Sequence, residues 1–167
     1  MATEKTPQVA VVMGSDSDLK VMESCIEQLR EFGLTPEVRI ISAHRTPRIA
    51  AEFAETAESR GIQVILAAAG MAAHLAGAMA ASTTLPVIGV PLAAEPGMGG
   101  LDALLSTVQM PPGVPVATVA IGKPGAKNAA ILAIQVLALR DPALRKKLVD
   151  FKKKQAQATQ QKDAALG

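Results

Sequence analysis

Short apolar runs alternate along this chain with polar turns marked by glycine or proline, and the runs are of two kinds. Val9-Ala10-Val11-Val12-Met13 is continuous, rich in β-branched residues, and ends at Gly14. A run of that length and type predicts a strand buried on both faces, as in a parallel sheet. The segment that follows, Leu19 to Phe32, spaces Val21, Met22, Ile26 and Leu29 as one face of a helix. Asp16 to Asp18 offer N-cap side chains for it and Gly33 a stop. The same alternation then repeats. Further strands are predicted at 36–41, 64–69, 86–90 and 115–121, and further helices at 47–59, 74–82, 102–108 and 126–139. Pro47 stands at the first position of its helix and Gly61 just past its end, while Gly70 closes the third strand. Asp141-Pro142 opens a last helix whose polar end, from about Gln155, is expected to fray.

Strand and helix alternate five times with short connections, which predicts an α/β fold: a three-layer α/β/α sandwich with a central parallel sheet. No internal repeat, low-complexity segment or linker interrupts the pattern. The expected organisation is one domain over residues 1–167, with a core from about 8 to 151 and a frayed tail beyond. In doubly wound sheets ligands bind outside the carboxyl ends of the strands, near a reversal in strand order. The polar turns at 14–18, 42–47 and 70–74 all fall at strand ends of that kind. One helix breaks the amphipathic rule, because 129–139 is apolar nearly all the way round. Contact between subunits is the economical explanation, with a central core position as the alternative.

Composition changes the picture in one respect. The chain is 49% hydrophobic yet has no Trp, no Tyr and three Phe. Small side chains bury little area each at about 25 cal/mol per Å², so close backbone packing must supply stability, and burial between subunits would add to it. The net charge of +2 gives no field strong enough to imply nucleic acid. Lys146, Lys147 and Lys152 to Lys154 suit a solvated helix face. Cys25 is the single cysteine, which excludes a disulfide framework and a thiol metal site. The first residues lack an apolar signal region and the long apolar stretches are interrupted, so a soluble, cytoplasmic protein is expected, with no membrane partner.

Two polar turns carry the candidate chemistry. Ser42-Ala43-His44-Arg45-Thr46-Pro47 joins a hydroxyl, one of the two histidines and an arginine. Histidine exchanges a proton most readily near neutral pH, and arginine clasps phosphate or carboxylate in a planar fork. Gly14-Ser15-Asp16-Ser17-Asp18 opens a helix after the first strand, where backbone N–H groups and the Ser15 and Ser17 hydroxyls can seat a phosphate. Asp18 suits a ribose hydroxyl pair. Ser and Asp are also the preferred helix caps, so the cluster alone does not decide. His74 follows the small-residue turn at Gly70, where a capped core histidine competes with a ligand role. The dinucleotide fingerprint and the Walker loop are both absent, and two histidines fall short of a zinc site. The loop 91–100, with Glu95, Pro96 and three glycines, reads as a lid or as a plain connector.

MGSDSD, ISAHRTP, AAGMAAHLAG, LLSTVQMPPGVPVATVAIG and AKNAAILAIQVLAL, in that order, resemble the PurE family, N5-carboxyaminoimidazole ribonucleotide mutase of purine biosynthesis. The likeness runs from about Val9 to Phe151. It implies a flavodoxin-like fold, a homo-octamer with active sites near subunit junctions, and no metal or organic cofactor. It also implies that Ser15 and Arg45 hold the substrate phosphate with Ser17 nearby, and that Asp18 binds the ribose. His44 matches the family's catalytic histidine, and Ser42, Gly70 and His74 would surround the migrating carboxylate. Four positions depart from the family pattern. Gly70-Met71 stands for Gly-Gly, Ala76 for proline, Ala103 for serine, and the segment 92–101 is about one residue longer than usual. Arg45 and His74 resemble the mutase class rather than the class II enzyme, which carboxylates aminoimidazole ribonucleotide directly with CO2. A flavin-binding module of the same fold is the other alternative, and the lack of Tyr and Trp to stack a flavin argues against it.

Overall fold

The computed structural model describes residues 6–95 and 97–166; Pro96, in the expected lid, lies outside them. Strands β1 (Val9–Met13), β2 (Glu37–Ile40), β3 (Val64–Gly70), β4 (Val87–Leu92) and β5 (Ala117–Thr118) form one sheet in the order β2-β1-β3-β4-β5. Every pairing is parallel. The chain winds outward in opposite directions from β1 and β3, so a crevice opens between their carboxyl ends. This is the α/β sandwich that the alternation predicts.

Burial explains which strands the sequence announces. All residues of β1 and β4 are buried, as are the first five of β3. Alternate side chains on these strands feed two cores. Val9, Val11, Met13, Leu66 and Val90 face α1 (Leu19–Glu31) and α5 (Gly122–Leu137). Ala10, Val12, Ile65 and Ala67 face α2 (Pro47–Thr56) and α3 (Leu75–Ala81). Helix α4 (Leu101–Val108) lies against β4, with Ala103 and Thr107 buried. Its outer side leaves Leu101, Leu105 and Val108 close to half exposed.

The edge strands are less complete than expected. β5 shrinks to two residues, extended by one more bond from the Val119 N–H to the Gly89 carbonyl. Pro115 has no N–H to contribute there, and the chain turns early into α5. β2 exposes Val38 (38%) and Ile40 (54%). Between and beside them, Glu37 takes ion pairs from Arg39 and Arg60, both at 3.4 Å. The two guanidiniums also lie over the Phe53 ring, 5.6 and 4.6 Å from its centre.

Helix α5 begins at Gly122, four residues before the predicted start at 126. Pro124 sits in its first turn, where no N–H is needed. Gly125 lies so near the Ala120 carbonyl that any Cβ would overlap it. The apolar circumference of α5 is largely covered within the chain: it packs on α1, β3, β4 and α6 (Pro142–Ala164). Ile131, Leu132 and Val136 join the same core. The central position, held as the alternative, therefore accounts for most of its hydrophobicity. The final helix does not fray at Gln155 but continues to Ala164. Its exposed Lys, Gln and Ala residues are strong helix formers and need no packing partner to read as helical. Among the described residues, no helix is long and apolar enough to cross a membrane.

Candidate active site

The turns after β1, β2 and β3 meet at one cleft of about 440 Å³ beyond the carboxyl ends of the sheet. Ser15, Ser17, Asp18, Ser42, His44, Arg45, Gly70 and His74 all line it. The topology brings them together because β1 lies between β2 and β3, so the three strand ends are neighbours.

The first turn is a capping box. The Ser15 N–H donates to Asp18 Oδ2 at 3.0 Å, and the Ser15 hydroxyl accepts from the Ser17 N–H at 3.4 Å. The Ser17 hydroxyl lies 3.0 Å from that of Ser15. The expected cap and the expected ligand seat are thus the same residues. The reciprocal bonds fix the turn. The Ser15 hydroxyl donates its proton to Asp16 Oδ1 at 3.0 Å and the Ser17 hydroxyl donates to Ser15 Oγ, so a phosphate seated here would take over those two donors by rotation of the hydroxyls. Burial pushes the Asp18 carboxyl above its ordinary value, against the pull of the Ser15 and Gly14 backbone and of Arg45. A carboxylate that is partly desolvated in this way favours a ligand able to donate hydrogen bonds to it.

The second turn is held by Ser42 and Thr46. The Thr46 hydroxyl donates to the Ser42 carbonyl at 2.8 Å, and the Ser42 N–H donates back to it at 3.2 Å. Ser42 Oγ accepts from the Arg45 backbone N–H at 3.2 Å and from Arg45 Nε at 3.3 Å. A terminal guanidinium nitrogen donates to the Gly14 carbonyl at 2.9 Å. Ser42 therefore serves Arg45 directly, and Arg45 ties the β2 turn to the β1 turn. Thr46 is the supporting residue that motif reading passed over. Its signal was the Ser-x-x-x-Thr spacing, which lets one hydroxyl close the turn from both sides.

The third turn carries His74 at the start of α3. His44 Nε2 and His74 Nδ1 are 2.8 Å apart, with the rings edge to face at 89°. Both histidines are exposed, so His74 is not a core histidine. One proton bridges the two facing nitrogens, and each ring therefore limits the tautomer of the other. The N–H groups of Ala73 and His74 donate to the Met71 and Ala72 carbonyls at 2.9 and 2.8 Å, which tightens the turn. Gly70 is needed at its base, because a Cβ there would press on the Leu92 carbonyl and Ala94. The loop after β4 brings Ala94 itself to the cleft. Among the described residues, no three His, Cys, Asp or Glu side chains gather as a metal-ligand set.

The arrangement sets a cluster of hydroxyl, amide and guanidinium groups beside two bonded histidines, and known proteins resemble the chain in sequence. The model of the AIR carboxylase family matches residues 8–158. A Pyrococcus abyssi protein named N5-carboxyaminoimidazole ribonucleotide mutase is 53% identical over 146 residues, 87% of this chain and 82% of that protein. A Pyrococcus horikoshii protein of the same name is 52% identical over 166 residues, 99% of this chain and 92% of that protein. The crystal structure of Treponema denticola PurE superposes with a TM-score of 0.86 at 26% identity, covering 96% of this chain and 99% of that one. With a family model matched along most of its length and relatives more than half identical, this chain belongs to the AIR carboxylase, or PurE, family.

Proposed function

We propose that this chain is an N5-carboxyaminoimidazole ribonucleotide mutase, which moves the carboxylate of its substrate from the exocyclic nitrogen to carbon C4 of the imidazole. The observation that carries this reading is the junction, in one cleft, of the Ser15–Arg45 anion seat with the His44–His74 pair. Relatives more than half identical bear the mutase name.

In this mechanism Ser15, Ser17 and Arg45 hold the nucleotide phosphate and Asp18 takes the ribose hydroxyls. His44, as imidazolium, gives its proton to the exocyclic nitrogen as the N–CO2 bond breaks. The bonding pair stays on nitrogen, and CO2 departs into the cleft as a neutral molecule. The electron pair of the aminoimidazole then forms the C4–CO2 bond, and His44 recovers a proton from C4 as aromaticity returns. One proton is given and one is taken back, which suits a single imidazole near neutral pH. His74 orients the ring for both transfers, and Gly70 lets the reacting group approach the backbone. Excluding water protects the labile carbamate and keeps CO2 at hand.

The description of the family model names the carboxylase reaction, so direct carboxylation of aminoimidazole ribonucleotide is the second reading. Initial rates with the N-carboxylated substrate, set against aminoimidazole ribonucleotide plus physiological bicarbonate, separate them. The mutase reading expects the first to be far faster, and equal rates would overturn it. The reading extends to one domain over 1–167, a cytoplasmic setting and a homo-octamer. The exposed apolar face of α4 supports self-association, and light scattering measures the assembly state.

A further inference from the structure

We infer that Met71 is an apolar cover over the reacting carboxylate, and that it sets how much of the CO2 formed in the cleft is recaptured rather than lost. The inference rests on the mutase reading above.

Among the described residues Met71 is the only non-glycine residue with a positive φ, 55°. Glycine adopts that conformation freely, whereas a residue with a Cβ is strained in it. Its neighbours are glycine and alanine, from Ala68 to Gly70 and at Ala72 and Ala73. The one bulky side chain of the turn thus occupies its one strained position. It gains no burial in return, for Met71 is 57% exposed. Neither backbone preference nor core packing accounts for a methionine there. Strained positions that persist without a folding benefit concentrate at functional sites.

The place of the side chain supplies the function. Met71 lines the cleft together with His44, Gly70 and His74. Gly70 pairs with Leu92 in the β3–β4 ladder, and the Leu92 carbonyl and Ala94 fill the space a Cβ would need there, so the base of the turn sits close on β4. The bonds to the Met71 and Ala72 carbonyls fix it relative to His74. The Met71 backbone is therefore held at the histidine side of the cleft, and only the side chain beyond its Cα is free to move. An unbranched, flexible and polarizable side chain can settle over a planar ligand and shed water when it does so. Neutral CO2 offers no charge for a protein to hold, so an apolar wall is what delays its escape.

The test uses substrate carrying ¹³C in the migrating carboxylate, in the presence of excess unlabelled bicarbonate. Mass spectrometry reads the label in product, and free aminoimidazole ribonucleotide is counted per turnover. The parent protein should retain the label. Met71→Gly should release about fivefold more aminoimidazole ribonucleotide per turnover and lose label to match, with a melting temperature no lower than the parent's. Met71→Leu keeps the bulk and should keep the label. Met71→Asn, which tolerates the left-handed backbone, should leak like glycine and stands in for it should that variant fold poorly. Label retention in the Gly and Asn variants equal to the parent's would overturn the inference, as would leakage in Met71→Leu equal to theirs. A change in assembly state without leakage would also overturn it, assigning Met71 to a subunit contact. If the parent's own C4-carboxylated product carries none of the label, or no such product forms, it is the mutase reading that falls.

Discussion

The two sides of the cleft are built by opposite means. On the side of β1 and β2, polar groups satisfy one another before any ligand arrives. Ser15 and Asp18 close a capping box, Thr46 closes the next turn, and Ser42 and the Gly14 carbonyl brace Arg45. On the side of β3 there are a glycine, alanines, one methionine in a strained conformation, and a histidine bonded to His44. The difference follows from what each side has to hold under the proposed reading. A phosphate and a ribose present charge and hydroxyls, for which donors and acceptors already held in place need only exchange partners locally on binding. A carboxylate about to become neutral CO2 offers no lasting handle, so shape and dryness are what the protein can supply.

Three substitutions sharpen that contrast, in falling order of effect. His44 is where the two sides meet, and His44→Asn removes the proton carrier while leaving the phosphate seat intact. Steady-state kinetics should show kcat reduced by roughly 10²–10⁴-fold with KM little changed. A turnover number near the parent's would remove His44 from its assigned role. Arg45→Ala attacks the braced side. It should weaken ribonucleotide binding by about 1.5–3 kcal/mol, the range for a hydrogen bond to a charged group. A KM equal to the parent's would place the phosphate elsewhere. Asp18→Asn has the smallest effect on the fold and separates stability from binding. Burial raises the carboxyl's folded-state value above the unfolded one, so the stability it contributes is present at acid pH and is lost as pH rises through the raised value. The Asn variant should therefore melt no lower than the parent at neutral pH, with any gap in the variant's favour narrowing as pH falls into the ordinary carboxylate range. Calorimetry across pH reads this, and a variant less stable than the parent only at neutral pH would contradict it. Ribonucleotide affinity should fall in parallel.

The same contrast governs what was legible in the chain. β1, β3 and β4 are readable because burial on both faces demands uninterrupted apolar runs. β5 is shorter than the predicted 115–121 because an edge strand needs no such run, and nothing local marks where pairing stops. α5 starts earlier than its periodicity predicts, since Gly122-Lys123-Pro124-Gly125 has the composition of a turn although Pro124 occupies the first helical turn. The tail of α6 has no apolar period to detect, only good helix formers. At the site, the braced side could be read from local motifs, because capping is a short-range matter. Strand-end position was enough to bring all the candidate residues to one cleft. Two features were not legible. The bond between His44 and His74 joins residues thirty apart, and the left-handed backbone of Met71 contradicts its own residue type.

The outer strand β2 has a consequence for handling the protein. Among the described residues no strand pairs with its outer side, which presents amide and carbonyl groups flanked by Val38 and Ile40, the sort of margin on which chains stack into aggregates. Arg39 and Glu37 interrupt that margin with charge, and Arg60 pins the pair against the Phe53 ring. A foreign strand would have to strip water and partners from three ionic groups before it could align. The border of the sheet thereby carries its own gatekeepers, and concentrated salt, which screens them, is the condition under which the isolated chain should be least well behaved.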